Sequence, residues 1–335
     1  LSDLKQSAIV KCGKRSGNMP ISIRVNEYLF MSYVGLVASG YELTDKNDTE
    51  IMGLVDDVKN TSFRDNTIEY FNKARSVNVI NPYWSYGSDI SAGSCFIKDF
   101  SFSNFDDYIV FIKSAGFDGR DNWFWDWIKE LPNVLRQIKE SSEYSRLWKR
   151  YQNIIQTRLN DYNRQIKVIE SVVNKFTNMP YSIEFSPNLL QMPGMADFVK
   201  QGDRTIVIST YPTEIAILHE FLHPFISVHR NIISVLLPIA NLDKCINTES
   251  MITYGYMWND SEDAKIHALE ECFVRGISIG ISNMSKQEKA QYCKWSCDSG
   301  FLFTSEIINA IEAVDITEYN LGDFIRQILE SGCVK

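Results

Sequence analysis

Apolar residues recur every three or four positions through much of the chain, which is the signature of helices packed by one face. In the first half this spacing predicts helices over Tyr28–Val37, Thr49–Val58, Asn66–Ala74 and Phe105–Ser114, and a long one from Ser141 through Val173. Short β-like runs, Ile21–Val25 and Cys95–Phe102, interrupt them. After Met179-Pro180 the pattern changes: Tyr181–Phe185 and Thr205–Thr210 read as strands bounded by turn residues. Helices are predicted again over Asn231–Ala240, Ser261–Ile279, Ser305–Ala313 and Leu321–Leu329. The Trp-rich run Asn122–Trp127 has aromatic residues at helical spacing, which places it in a core rather than on a ligand.

A chain of 335 residues with 44% apolar and 23% charged residues is long enough to bury a large core without a covalent staple. Its net charge of −8 argues against a polyanion partner, because phosphate binding needs a basic face, so no nucleic-acid role is expected. No apolar stretch reaches the length of a membrane span, and the greasiest run, Ile232–Ile239, is broken by Pro238. The seven cysteines form no disulfide framework or zinc knuckle in their spacing and are expected as small buried side chains. An opening Leu1 in place of Met leans the expected compartment toward secreted or cell-envelope without fixing it.

The chemistry concentrates in His219-Glu220-Phe221-Leu222-His223, which holds two of the chain's four histidines. Residues four apart on a helix share one face, so the two imidazoles can grip one ion, and Glu220, about 100° round, can reach an ion-bound water without ligating. Zinc is the cofactor this predicts, with Glu220 as general base. The strand Thr205–Thr210 leading into a helix with Ile215, Leu218, Leu222 and Phe225 predicts a buried metal helix behind an edge strand, with Thr210 as cap and Pro212 in the first turn. Pro224 clashes with the carbonyl four residues before it, so a kink or helix end is expected there.

An open zinc site needs a third protein ligand. On the helix predicted over 261–279, capped by Asp260, Glu270 falls among Ile266, Phe273, Val274 and Ile277, and an acid on an apolar face is costly unless paired or metal-bound. Glu271 stands about 100° away beside His267 and Arg275, and Arg275 can orient it. The wheel alone favours Glu270. His229, six residues past His223, has the spacing of a metzincin third histidine, but Ile226 occupies the position where that pattern turns on a glycine.

Taken together, the His219–His223 run and a downstream helical carboxylate resemble the gluzincin-type zinc peptidases. More narrowly, His219–Phe225 with Glu271-Cys272-Phe273-Val274-Arg275 is similar to a bacterial family read as metallopeptidases from its H-E-F-x-H and E-x-x-V-R-A segments. Ile21–Asn26 and Ile68–Phe71 are similar to that family's amino-terminal stretch, while Gly276 stands where it usually has Ala. The resemblance implies Glu271 as third ligand, and a Tyr or His near the developing oxyanion, for which Tyr254, Tyr256 and His267 are the candidates.

The expected architecture is therefore α+β: a zincin-like catalytic half with a small sheet over residues 176–335, packed against a mostly helical half over residues 1–175. The expected reaction is hydrolysis of a peptide or protein substrate by zinc-activated water. Two alternatives stay open, a non-catalytic zinc-stabilised binding protein and a hydrolase of another amide or ester.

Overall fold

A computed structural model describes residues 21–41, 46–76, 82–114, 122–176, 182–192, 194–202, 204–237, 241–254, 256–257, 259–313 and 320–332. The amino-terminal half runs β1 (Ile21–Ile23), α1 (Glu27–Ala38), α2 (Thr49–Lys59), α3 (Asp65–Ser76), α4 (Pro82–Phe96), β2 (Ile97–Lys98), β3 (Ser101–Phe102), α5 (Phe105–Ser114), α6 (Asn122–Lys129), α7 (Leu131–Lys139) and α8 (Tyr144–Phe176). The carboxyl-terminal half follows with β4 (Ser182–Pro187), β5 (Ala196–Gln201), β6 (Arg204–Ser209), α9 (Glu214–Ser227), α10 (Arg230–Leu236), α11 (Leu242–Cys245), α12 (Thr248–Thr253), α13 (Glu262–Ile281), α14 (Lys286–Asp298), α15 (Thr304–Ala313) and α16 (Leu321–Gly332). The class is α+β, largely helical with a small mixed sheet.

Helix α1 is the axis of the first half. Asn26 caps it by accepting from the backbone of Tyr28 and Leu29, and every residue from Leu29 to Val37 is buried. Phe30 packs on Tyr144, Trp148 and Tyr151 of α8, the last at 4.4 Å between ring centres. In α6, Phe124 and Trp127 are buried as expected of a core run, with Trp123 stacked half-exposed on Trp127.

The sheet has the order β1-β4-β6-β5, with β1, β4 and β6 parallel and β5 antiparallel to β6. Two features tie the halves together. Strand β1 pairs with β4, and α8 sends Tyr151 to the carbonyl of Pro187 (2.6 Å) and Tyr162 to that of Thr210 (3.0 Å). One continuous apolar cluster includes residues of both halves.

Several expectations are corrected. The sheet's edge beside α9 is β5, absent from the sequence reading, so β6 lies inside the sheet rather than at its edge. Thr213, not Thr210, caps α9, and Pro212 lies ahead of the helix; Thr210 instead bonds the carbonyls of Asn188 and Gln191. Ser261, not Asp260, caps α13. Helix α9 passes through Pro224 and ends at Ser227, one turn beyond the second histidine. The run over 95–102 is the end of α4 followed by the short β2–β3 hairpin, and α4, α7 and α14 were not predicted. Residues 238–240, the end of a predicted helix, lie outside the described residues. Cys95, Cys272, Cys293 and Cys297 are free thiols, whereas Cys245 is disulfide-bonded, contrary to the expectation for that residue.

Helix α13 packs between α9 and α15, and Gly276 permits the second contact. A Cβ there would come within 2.6 Å of Ile307, so alanine has no room without moving α15.

Candidate metal centre

Helix α9 is held by burial of Ile217, Leu218, Phe221, Leu222 and Ile226, which leaves His219 and His223 on a face turned toward α13 and β5. Their Nε2 atoms are 3.3 Å apart. Phe198 of β5 stacks on the His223 ring at 4.9 Å and 9°, which fixes its plane. From α13, Glu271 brings Oε1 to 3.2 Å from His219 Nε2 and Oε2 to 3.5 Å from His223 Nε2. Among the described residues this is the group of side chains able to hold a metal ion.

The spacing fits an ion. Bonds of about 2.0–2.1 Å at tetrahedral angles separate neighbouring donors by roughly 3.4 Å. The closest approaches here, 3.3 Å between the two Nε2 atoms and 3.2 and 3.5 Å from the two different oxygens of Glu271, are of that order, and one donor atom from each residue lies within 4.8 Å of the others. Burial, reinforced by Arg275, lowers the His223 pKa to about 3, leaving a neutral ring with a lone pair to give. For Glu271 burial works against ionisation, but His219 and Arg275 outweigh it and hold the group well below the usual carboxylate range.

Arg275, one turn after Glu271, donates from Nε to its Oε1 at 2.9 Å. Its buried guanidinium lies 4.1 Å from the ring centre of Phe301, 4.9 Å from Trp295 and 5.1 Å from Tyr256. This aromatic cage holds the arginine, which in turn holds the carboxylate.

Glu220 is the second carboxylate of the site. Its oxygens stand 4.0 Å from His219 Nε2 and 3.8 Å from His223 Nε2, beside the donor triangle rather than within it. Only 8% of it is exposed. Burial, reinforced by Asp197 and Glu271, pushes its pKa well above the ordinary value.

The other candidates fall into place by geometry. Glu270 does not join the histidines: its Oε2 accepts from Arg230 Nη1 at 2.6 Å, so the buried acid is compensated by a guanidinium instead of an ion. The wheel argument correctly required a partner but could not identify it. His267 lies beside Glu270, with Nδ1 3.8 Å from its Oε2, outside the donor triangle. His229 precedes α10 and packs toward Gly322 of α16; the chain stays helical through Ile226, so the metzincin arrangement does not form. Tyr254 ends α12 and is 56% exposed. Tyr256 packs at 4.9 Å on Phe301 in the cage around Arg275, close to Glu271, and burial raises its pKa.

Sequence reasoning missed Phe198 and Asp197, both on β5. Asp197 is buried, accepting from Gln191 Nε2 at 3.0 Å and Ser91 Oγ at 3.4 Å. A signal for β5 existed: Gly202-Asp203 separates Gln201 from Arg204, paired residues of a two-residue hairpin, and Gly202 takes φ +58°.

No protein-family model, curated protein or solved structure matches this chain, so the resemblance to gluzincin-type peptidases rests on the quoted residues and function must be argued from this geometry.

Proposed function

We propose that the protein is a zinc-dependent peptidase, with His219, His223 and Glu271 holding the ion and Glu220 acting as general base. The observation that carries this reading is that one donor atom from each of His219, His223 and Glu271 lies within 4.8 Å of the others, with the buried Glu220 carboxyl beside them. Zinc held by His219, His223 and Glu271 would supply an acidified water, with a pKa of about 7, and a Lewis acid for a carbonyl oxygen. Glu220, placed beside the donors, would take the proton from the attacking water and deliver it to the leaving amine. Arg275 keeps Glu271 ionised and oriented, and Phe198 keeps the His223 ring in plane.

Among the described residues the site has three donors, and an open site of three favours a catalytic over a purely structural role, since structural zinc is almost always closed by four protein ligands. A peptide substrate is favoured by β5, which the sheet pairs on one side only while its Phe198 touches His223; an extended chain laid along it would pass the donor triangle. Glu220→Gln separates this from a zinc-stabilised binding protein. It is expected to bind zinc as wild type does while losing cleavage of a peptide library. A zinc-loaded wild type that cleaves no peptide between pH 5 and 9 contradicts the proposal.

A further inference from the structure

Among the described residues, strand β5 pairs with β6 on one side and with no strand on the other, yet it carries Phe198, the ring stacked on His223. Side chains supply the missing restraint. Residues alternate between faces along a strand, and in β5 Asp197 and Val199 are buried while Phe198 between them is partly exposed. The Oδ2 atom of Asp197 accepts from Gln191 Nε2 at 3.0 Å and from Ser91 Oγ at 3.4 Å. Four residues on, Gln201 Nε2 donates to the carbonyl of Cys95 at 2.9 Å. Ser91 and Cys95 stand one turn apart on α4, so that one helix grips β5 on both sides of Phe198.

Helix α4 is in turn pinned to α1. Ser32 Oγ meets Ser94 Oγ at 2.7 Å and the Tyr33 hydroxyl meets Ser91 Oγ at 3.0 Å, all four side chains being buried. A serine has one hydroxyl proton to give. Ser91 gives it to Asp197, so Tyr33 is the donor to Ser91, and the bonds run in one direction from α1 through α4 to the carboxylate on β5.

We propose that Asp197 is a positioning residue for the metal centre: it ties β5 to α4 and so seats Phe198 against the His223 ring. The inference rests on the reading of His219, His223 and Glu271 as zinc ligands. It gives the amino-terminal half a part in ion affinity through Ser91, although the three donors all lie in the other half. Loss of the anchor frees the edge strand at the residue next to Phe198, and a ring that is no longer held flat is a poorer ligand. Both hydrogen bonds end on the same oxygen of Asp197. Asparagine, with its carbonyl oxygen in the place of Oδ2, keeps them, whereas alanine keeps neither. A role that depended on the negative charge would be lost in both.

The experiment measures zinc affinity of the full-length chain by competition with a chelator, on variants shown to be folded by circular dichroism. Asp197→Asn is expected to bind zinc close to wild type, Asp197→Ala about tenfold more weakly, and Ser91→Ala to shift in the same direction by less. Phe198→Ala should also weaken binding, and adding Asp197→Ala to it should cost no further affinity, because the anchor acts through the ring. Should Asp197→Ala fail to fold, Ser91→Ala alone and combined with Phe198→Ala makes the same comparison. Wild-type affinity in the variants that lack the anchor, equal losses in Asp197→Asn and Asp197→Ala, or losses that add to that of Phe198→Ala overturn the proposal and leave the metal reading standing. A wild type that takes up no zinc overturns both.

Discussion

The two halves bury different things. Around α1 the amino-terminal half packs aromatic and aliphatic side chains, and its buried polar groups are mostly neutral hydroxyls that bond one another, such as Ser32 with Ser94 and Tyr33 with Ser91. In the carboxyl-terminal half Glu184, Asp197, Glu220, Glu270 and Arg275 are all buried. A buried charge is costly unless compensated, and most of these are: Glu184 by Arg204, Glu270 by Arg230, Arg275 by Glu271. Asp197 accepts instead from the neutral donors of Gln191 and Ser91, and Glu220, with which no arginine or lysine pairs among the described residues, faces two imidazoles. The contrast is one of charge: the buried polar groups of the first half are largely hydroxyls, with Asp89 a buried acid among them, whereas the second half keeps a carboxyl without an arginine or lysine partner, among the described residues, beside His219, His223 and Glu271.

The sharpest way to test that division is to change charge or packing in one half and read the other. Glu220→Gln should lower peptide hydrolysis by about 10²–10⁴-fold with zinc content unchanged, measured by turnover and metal analysis on the same sample. Phe30→Ala, in the supporting half, should cost about 3–5 kcal/mol in denaturant unfolding and leave zinc affinity of the folded protein intact. Arg275→Ala should weaken zinc binding about 10–100-fold in competition with a chelator, and Arg275→Lys should recover part of this, since lysine keeps the charge and loses the planar stack. Glu270→Gln, one residue from the ligand, should leave zinc affinity where it was; a loss equal to that of Glu271→Gln would erase the distinction between the two acids.

The helices were legible where apolar residues recur at helical spacing over several turns, as in α8, and in α1 where Leu29 to Val37 are buried all round. Helix α14 was not, since of its residues only Ser296 is buried and its sequence carries little periodic signal. The His219–Glu220–His223 arrangement followed from helix geometry alone. The choice between Glu270 and Glu271 did not, because both have a buried environment and the deciding fact is tertiary: α10 delivers Arg230 to Glu270, and α9 delivers two imidazoles to Glu271. Phe198 was hidden for the same reason, its role depending on β5 being the strand next to α9.

The account stands on one ion held by His219, His223 and Glu271, and zinc stoichiometry of purified wild type beside Glu271→Ala and Glu270→Ala tests it most directly. One zinc per chain in wild type and Glu270→Ala, with its loss in Glu271→Ala, is the expected result. Zinc absent from wild type after equilibration with the ion, or retained at full occupancy and affinity in Glu271→Ala, contradicts it.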